Sequence, residues 1–323
     1  MNTSPSSSPL DSTPTTVDAT PRLPAGGERA LVLGGGGSTG NAWLVGVLAG
    51  LYDAGLDVTT ADLTVGTSAG STAAAQLAGA NPTELYAAAL APVPPRRPSS
   101  AGPGPAGRGA GRARVSSAAD QMARTQAIID AATDAADMRR RMGAAALDLD
   151  TASDGSWSAR WRTTVAARLP RQDWPGRMVL ITAVDARTGE PVVFDRRSGV
   201  DLADAVAASC SSGLPHRIGD DRYIDGGYRR NENADLAAGY ARVLVLSPFG
   251  GRSRHPRRWG TELATQLDEM RARGSRVETI IPGSDADHLF GANAMDLSLR
   301  AAAARAGHDQ GSALAAHLTG FWR

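Results

Sequence analysis

The feature that most constrains the fold is a unit of strand, glycine turn and helix that occurs twice in succession near the start of the chain. Residues 30–33 are an apolar run stopped by four glycines, which is typical of a buried parallel strand. From Asn41 the apolar residues recur on one helical face, and Gly55 ends this helix. Residues 63–65 then run into a glycine turn and an alanine-rich helix. This βαβα order predicts an α/β domain with a mostly parallel central sheet flanked by helices.

The rest of the chain divides into one domain with two irregular segments. Residues 1–27 are rich in Ser, Thr and Pro, which predicts a disordered tail. Residues 28–323 form the predicted catalytic domain, interrupted at about 91–115 by a Pro/Gly/Arg-rich loop. Hydrophobic patterning predicts further helices at 118–142, 260–273 and 292–318, and further strands at 178–184, 191–194, 222–225 and 243–246.

Composition excludes several classes of protein. The 323 residues carry a formal net charge of +1, which gives no reason to expect a nucleic-acid partner. The single cysteine, Cys210, excludes an internal disulfide framework. The sequence contains no lysine, which excludes Ser-Lys hydrolases and the phosphate-binding loop that needs one. Since it also shows no signal peptide, no apolar run of about 20 residues and no cluster of metal ligands, we expect a cytoplasmic protein without cofactor or metal.

The strongest local signal for chemistry is the serine turn at residues 66–70, Gly-Thr-Ser-Ala-Gly. A serine with a glycine two residues away on each side, between a strand and a helix, is typical of a nucleophile elbow, with Gly66 and Gly70 allowing the sharp turn. The following helix directs its N-terminal N–H groups at charge that develops there. The alternative is a small-residue turn that only packs a helix on the sheet.

A second signal is the glycine loop at residues 34–40, also between a strand and a helix. Consecutive glycines let backbone N–H groups turn outward together, which is the geometry needed to hold an oxyanion. The same letters contain the dinucleotide-binding pattern G-x-G-x-x-G. That alternative requires an acidic residue at the end of the second strand, whereas Asp62 precedes the strand and the serine turn ends it.

The third signal is Asp225, which is followed by Gly226 and Gly227 at the end of a short predicted strand. A carboxylate followed by two glycines can lie close to another backbone with little steric cost. The alternative is a plain β-turn, because Asp-Gly is a favoured turn pair.

Together these three elements, in this order, resemble the patatin-like phospholipases. Residues 181–185, 189–194 and 208–215 are also similar to that family, and the resemblance covers about residues 29–90 and 178–247. It implies a patatin-like three-layer sandwich and a lipid or ester substrate. It further implies that Ser68 is the nucleophile, Asp225 the base and the glycine loop the oxyanion hole, its donors being Gly35, Gly36 and Gly37 and its turn completed by Gly40.

The sequence departs from the family at several positions. Thr39 stands where many bacterial members carry a basic residue, so charge assistance from that position is missing. Asn231 and Asn233 lie where the family places an Asn after Asp-Gly-Gly, but Glu232 and Ala234 follow them instead of Pro. Residues 91–115 have no counterpart.

The resemblance implies lipid acyl hydrolysis of the phospholipase A or esterase type, through an acyl-enzyme formed by a Ser-Asp dyad. One alternative is an α/β-hydrolase esterase with a Ser-His-Asp triad, for which the late histidines His288, His308 and His317 are available. His216 and His255 are predicted to be loop residues, and Cys210 a small buried residue rather than a nucleophile. Another alternative is a catalytically silent binding module on the same fold.

Contact with a membrane surface is the remaining prediction. The segment 91–124 is locally basic, with only Asp120 opposing its charge, and could attract anionic head groups at about 1 kcal/mol per residue. A solvated linker is the alternative. The basic residues of this segment are Arg96, Arg97, Arg108, Arg112, Arg114 and Arg124.

Overall fold

The computed structural model describes residues 26–92 and 118–323, in which the first predicted strand lies at the centre of an eight-stranded sheet. The strand order is β5-β6-β3-β2-β1-β7-β8, with β4 also paired to β3. Five neighbouring strands from β3 to β8 are parallel, and the remaining three pair in antiparallel fashion. The predicted mostly parallel sheet is confirmed. The strands are β1 Gly27–Leu33, β2 Leu63–Gly66, β3 Met178–Asp185, β4 Pro191–Phe194, β5 His216–Ile218, β6 Asp221–Asp225, β7 Tyr240–Leu246 and β8 Arg276–Ile280.

Helices cover both faces of this sheet, which gives three layers. On one face α1, α2, α7 and α9 pack on a core that includes Leu31 and Ile181. On the other face α4 and α5 pack near Val184 and Ile224, and α8 packs near Val243. The helices in the described residues are α1 Gly37–Asp53, α2 Ala69–Gln76, α3 Pro82–Leu90, α4 Ala118–Ala131, α5 Ala135–Thr151, α6 Trp157–Ala166, α7 Leu202–Ser209, α8 Leu263–Ala272 and α9 Arg300–Trp322.

Helices α1 and α9 meet along a seam made of glycines. A Cβ at Gly46 or Gly50 of α1 would overlap a carbonyl oxygen of α9, and a Cβ at Gly307 or Gly311 of α9 would overlap a carbonyl oxygen of α1. The two backbones are therefore in direct contact, and the seam fixes α1 both along and around its axis.

Two predicted helices differ from the structure. The pattern over 118–142 is interrupted, because the Asp134 side chain accepts a hydrogen bond from the Asp137 N–H at 2.7 Å and starts a new helix, α5. The pattern over 292–318 begins late, because short 3₁₀ turns precede α9, which starts at Arg300. The prediction of His216 as a loop residue is wrong, since it begins β5 and is 1% exposed.

The two irregular segments fall largely outside the described residues. Of the predicted tail 1–27, only Gly26 and Gly27 are described, and Gly27 already belongs to β1. The predicted loop at about 91–115 is described only at residues 91 and 92. Within the described ranges, no helix combines the length and the apolar character needed to cross a bilayer.

Candidate active site

The serine turn lies where β2 ends and α2 begins, as predicted. Ser68 has φ 51° and ψ −113°, a backbone conformation that a residue with a Cβ adopts only under strain. The turn is tight enough that a Cβ at Gly70 would collide with the carbonyl oxygen of Leu33. A Cβ at Gly66 would come within 2.7 Å of the Ser71 Cα. Both glycines are therefore required by close backbone approach.

Neighbouring side chains hold the backbone of Ser68 on both sides. Its N–H donates to the hydroxyl of the fully buried Ser209 at 2.9 Å. Its carbonyl oxygen accepts from the Ser71 hydroxyl at 2.6 Å and from the Cys210 thiol at 3.2 Å. Burial raises the pKa of Cys210 to about 11, so this thiol stays protonated at neutral pH and acts as a donor. A strained conformation persists when its surroundings over-determine it in this way.

Strand pairing brings Asp225 to the same edge of the sheet as Ser68. On β3, Ile181 pairs with Gly66 of β2, and two residues further Ala183 pairs with Asp225 of β6. The Asp225 carboxylate accepts from the Gly227 N–H at 2.8 Å and from the Ser68 side chain. The two predicted catalytic residues, which are far apart in the sequence, are thus in contact.

Burial changes the basicity of the Asp225 carboxylate. The side chain is 8% exposed, and loss of hydration raises its pKa from an ordinary value of 3.8 to about 6. The hydrogen bonds from Gly227 and Ser68 act in the opposite direction but do not cancel this effect. A carboxyl with this pKa is ionised at neutral pH and still basic enough to take a proton.

The glycine loop joins β1 to α1 beside the serine turn. Gly34 and Gly35 donate their N–H groups to the carbonyl oxygens of Leu246 and Asn231, each at 3.0 Å. Gly36 is the N-cap of α1, and Gly37 starts the helix with φ 65°. Their N–H groups bond to no other backbone group of the described chain. The N–H of Gly35 is therefore already engaged by a backbone acceptor, unlike the N–H groups of Gly36 and Gly37.

A fully buried asparagine, Asn233, ties the loops around the dyad together. Its Nδ2 lies 3.0 Å from the Thr67 hydroxyl, 3.2 Å from the Gly226 carbonyl oxygen and 2.7 Å from the Arg230 carbonyl oxygen. Thr67 also bonds Thr182 of β3 at 2.9 Å. The side chain of Asn233 thus links the serine turn to the strand end that carries Asp225. Gly226 is required here, since a Cβ would overlap the side chain of Thr182.

Glu232 is a site residue to which the sequence assigned no role. It is 1% exposed, and burial raises its pKa. Its Oε1 accepts from the Asn231 side chain at 2.8 Å and from the Ser247 hydroxyl at 2.7 Å, and Asn231 in turn bonds Gly35. Glu232 therefore supports the glycine loop from behind. In the sequence alone Glu232 looks like a surface glutamate, because its burial depends on contacts between distant parts of the chain.

The side chain of Arg300 lies close to Thr39, the position at which this chain has no basic residue. Thr39 is fully buried and donates its N–H to the Ala294 carbonyl oxygen at 3.0 Å. Arg300, at the start of α9, donates to the Ser38 carbonyl oxygen at 2.9 Å and to the Ser38 hydroxyl at 3.1 Å. The first turn of α1 thus receives an arginine from a distant part of the chain.

None of the five histidines forms a hydrogen bond with Ser68 or Asp225 in the described structure. His216 bonds Ser158 and Asp204, and His255 bonds Thr261. Burial lowers the pKa of His255 to about 4, so it is neutral. The three late histidines are engaged elsewhere: His288 with the Asp285 carbonyl oxygen, His308 with Asp53 and His317 with Glu278.

The fold and the site define an α/β protein in which a serine turn, a glycine loop and a buried aspartate meet at one sheet edge. The sequence model of the Patatin-like phospholipase family matches residues 31–238, more than half of the chain, so the protein belongs to the patatin-like phospholipase family. Membership of this family supports lipid acyl hydrolysis as the activity. A comparison with curated protein sequences gives no significant match.

Two solved structures are similar to this chain at low sequence identity. VipD from Legionella pneumophila is 13% identical, with a TM-score of 0.38, and the match covers 91% of this chain and 67% of VipD. The type III effector protein ExoU is 19% identical, with a TM-score of 0.35, and the match covers 90% of this chain and 54% of ExoU.

Proposed function

We propose that the protein is a carboxylic ester hydrolase of the phospholipase A or esterase type, with Ser68 as nucleophile and Asp225 as general base. The observation that carries this proposal is the contact between the strained serine and a buried carboxylate whose pKa is raised to about 6. A side chain with an ordinary aspartate pKa would be a much weaker base toward a hydroxyl.

The reaction begins when Asp225 takes the Ser68 hydroxyl proton as Oγ attacks the ester carbonyl carbon. The N–H groups of Gly36 and Gly37, at the positive end of the α1 dipole, stabilise the oxyanion. When the tetrahedral intermediate collapses, the ester C–O bond breaks and Asp225 returns its proton to the leaving alcohol. Asp225 then takes a proton from a water molecule as its oxygen attacks the acyl carbon. When this second tetrahedral intermediate collapses, the bond between the acyl carbon and Ser68 Oγ breaks, Asp225 passes its proton to Oγ, and the fatty acid is released.

Labelling with a fluorophosphonate probe tests this assignment. The wild-type protein is expected to react, and Ser68→Ala to lose the label and to lose esterase activity by about 10³-fold or more. Ser298→Ala, which removes an exposed hydroxyl elsewhere in the chain, is the control and should still react. Labelling that persists in Ser68→Ala would overturn the proposal, as would a folded wild-type protein that never reacts, which would favour the silent binding module.

Substitution of the five histidines tests the competing triad. Each of His216, His255, His288, His308 and His317 is replaced by Asn or Gln in turn. Activity should survive every replacement that leaves the protein folded, because Asp225 acts directly on Ser68. Loss of activity in one folded histidine variant, comparable to that in Ser68→Ala, would instead establish a triad.

We further propose contact with anionic lipid through the basic segment 91–124, whose arginines other than Arg124 lie outside the described residues. Co-sedimentation with vesicles that contain an anionic phospholipid should exceed that with neutral vesicles. Deletion of residues 93–117 should remove the difference. Binding that depends on neither the lipid charge nor this segment would contradict the proposal.

A further inference from the structure

Arg300, the first residue of α9, is a partly buried cation without a carboxylate partner among the described residues. Its guanidinium donates to the Ser38 carbonyl oxygen at 2.9 Å, to the Ser38 hydroxyl at 3.1 Å and to the Asn41 side-chain oxygen at 3.4 Å. All three acceptors are uncharged. Burial of a charge without a counter-charge is unfavourable. The fold therefore holds a cation whose charge no described residue neutralises.

The surroundings of Arg300 add to this electrostatic penalty. Burial, and to a smaller extent the charge of Arg168, lower the pKa of Arg300, which means that both disfavour its charged form. Ser38 lies in the first turn of α1, where the helix dipole is positive and favours an anion over a cation. Negative charge that forms beside this turn would therefore be stabilised by the arginine and by the helix together.

The contacts of Arg300 join the two loops that carry the proposed chemistry. Ser38 directly follows Gly37, one of the two proposed oxyanion donors. Asn41 donates through Nδ2 to the carbonyl oxygen of Ala69 in the serine turn, at 3.4 Å. A change at Arg300 therefore acts on the glycine loop directly and on the serine turn through one intervening side chain.

We propose that Arg300 is a positioning residue for the hydrolytic reaction, which fixes the first turn of α1 through Ser38 and adds positive charge beside the glycine loop. This inference rests on the proposed function. The oxyanion forms in the transition state and is absent from the bound ester, so the contribution of Arg300 should appear in kcat rather than in KM. Loss of one direct oxyanion donor lowers kcat by about 10²–10³-fold, and a charge that acts through Ser38 should contribute less, about tenfold.

The test measures kcat and KM of the full-length protein for a soluble ester, p-nitrophenyl butyrate. In Arg300→Gln, which keeps an amide donor but removes the charge, kcat should fall about tenfold and KM should change by less than about twofold. Arg300→Lys should recover most of the lost kcat, because it keeps the charge. Arg305→Gln is the matched control: it removes an exposed arginine from the same helix and should leave both constants unchanged.

Equal kcat values for Arg300→Gln, Arg305→Gln and wild type would overturn the role of Arg300, while Ser68-dependent hydrolysis by all three would still support the proposed function. A rise in KM at unchanged kcat would also overturn it, because Arg300 would then act in substrate binding. Equal losses of kcat in Arg300→Gln and Arg300→Lys would show a purely structural contact and refute the charge contribution. A wild-type protein that hydrolyses no ester would contradict the proposed function, and the role of Arg300 with it.

A second variant keeps the inference testable if Arg300→Gln does not fold. Ser38→Asp places a carboxylate beside the guanidinium and in the first helical turn, where an anion stabilises the helix, so this protein should fold at least as well as wild type. Because the carboxylate neutralises Arg300, kcat should fall about tenfold. Ala313→Asp adds the same charge at an exposed position of α9 and should keep the wild-type kcat. A folded Ser38→Asp protein with the kcat of wild type would refute the charge contribution of Arg300.

Discussion

The serine turn and the aspartate strand of the candidate site differ in how completely their polar atoms are matched. Ser68 has its N–H and carbonyl oxygen bonded to Ser209, Ser71 and Cys210, and glycines on both sides allow the backbone to pack closely. The Asp225 carboxylate is buried and receives hydrogen bonds only from Gly227 and Ser68 in the described structure. The serine turn therefore holds the Ser68 hydroxyl in a fixed position. The Asp225 carboxylate, in contrast, keeps a buried charge with few hydrogen-bond donors.

The two regions therefore make opposite contributions to the free energy of folding. A well-matched turn stabilises the fold while it places a hydroxyl. A buried carboxylate with few donors destabilises the fold in return for basicity. Substitutions on the two sides should therefore have opposite effects on stability, although both reduce activity.

The largest effect is expected for Gly70→Ala on the serine side. The added Cβ would collide with the Leu33 carbonyl oxygen, so the turn must open, and the free energy of unfolding should fall by about 3 kcal/mol or more. Chemical denaturation measures this loss. Gly320→Ala, in α9 where a Cβ meets nothing within 4 Å, is the control and should be neutral or stabilising. A Gly70→Ala variant as stable as this control would show that the turn is not rigid.

On the aspartate side, Asp225→Asn should stabilise the protein while abolishing hydrolysis. The folded state holds the proton more tightly than the unfolded chain, since burial raises the pKa from 3.8 to about 6. The free energy of unfolding therefore falls as pH rises through that interval, by up to about 3 kcal/mol. Asn stays neutral, so denaturation at pH 8 should show a gain of up to that size, which disappears below pH 3.8.

Asp268→Asn, at an exposed position, serves as the control and should change stability by less than about 0.5 kcal/mol. Destabilisation by Asp225→Asn at pH 8 would contradict the view that this carboxylate is under-solvated.

Asn233→Ala tests the link between the two regions. It removes the amide that bridges Thr67 and the Gly226 carbonyl oxygen and leaves buried polar groups without a partner. We expect a loss of about 2 kcal/mol in the free energy of unfolding and a lower kcat. Asn293→Ala is the comparison variant, because this asparagine is exposed and its side chain donates to the His288 carbonyl oxygen. An unchanged kcat would mean that the two regions keep their geometry independently.

The pH dependence of the reaction reports the base itself. Asp225 must be deprotonated to accept the Ser68 proton, and its pKa is raised to about 6. The value of kcat/KM should therefore fall about tenfold between pH 7 and pH 5. A profile that stays flat down to pH 4 would exclude Asp225 in its described environment as the base.

The smallest effect is expected for Cys210→Ala. The thiol contributes one weak hydrogen bond to the Ser68 carbonyl oxygen, which the Ser71 hydroxyl also bonds. Stability should fall by less than about 1 kcal/mol, and activity by less than about twofold. A large loss would show that the serine turn depends on this thiol.

The sequence predicted those parts of the fold and site that are local in the chain. The serine turn, the glycine loop and the strands β3 and β4 follow from apolar runs and glycine spacing, and the structure has them where expected. The helix break at Asp134 was missed because an alanine-rich pattern continues across it. The short strand β5 was also missed because three residues are too few to show a pattern, and the helix α7 because it is buried on nearly all sides and shows no clear polar face.

What could not be predicted is the environment of the charged groups. The sequence around Glu232 does not indicate that this residue is buried behind the glycine loop. Nor does the sequence around Arg300 indicate that its side chain contacts Ser38 from the start of another helix. The engagement of the Gly35 N–H by Asn231 is likewise a contact between residues 196 positions apart. Pairings of this range follow from the complete fold rather than from local spacing.

The glycine seam between α1 and α9 has a consequence for when the protein becomes active. The glycine loop precedes α1, which is synthesised early, but the glycine seam can form only after α9, Arg300–Trp322, has been made. Until then, the face of α1 that contacts α9 is exposed to water, and the helix is held only by α2, α3 and the sheet. A nascent chain on the ribosome, or one truncated before residue 300, would therefore carry Ser68 and Asp225 beside a glycine loop whose helix α9 does not yet hold, and the complete site would form only after α9 had been made.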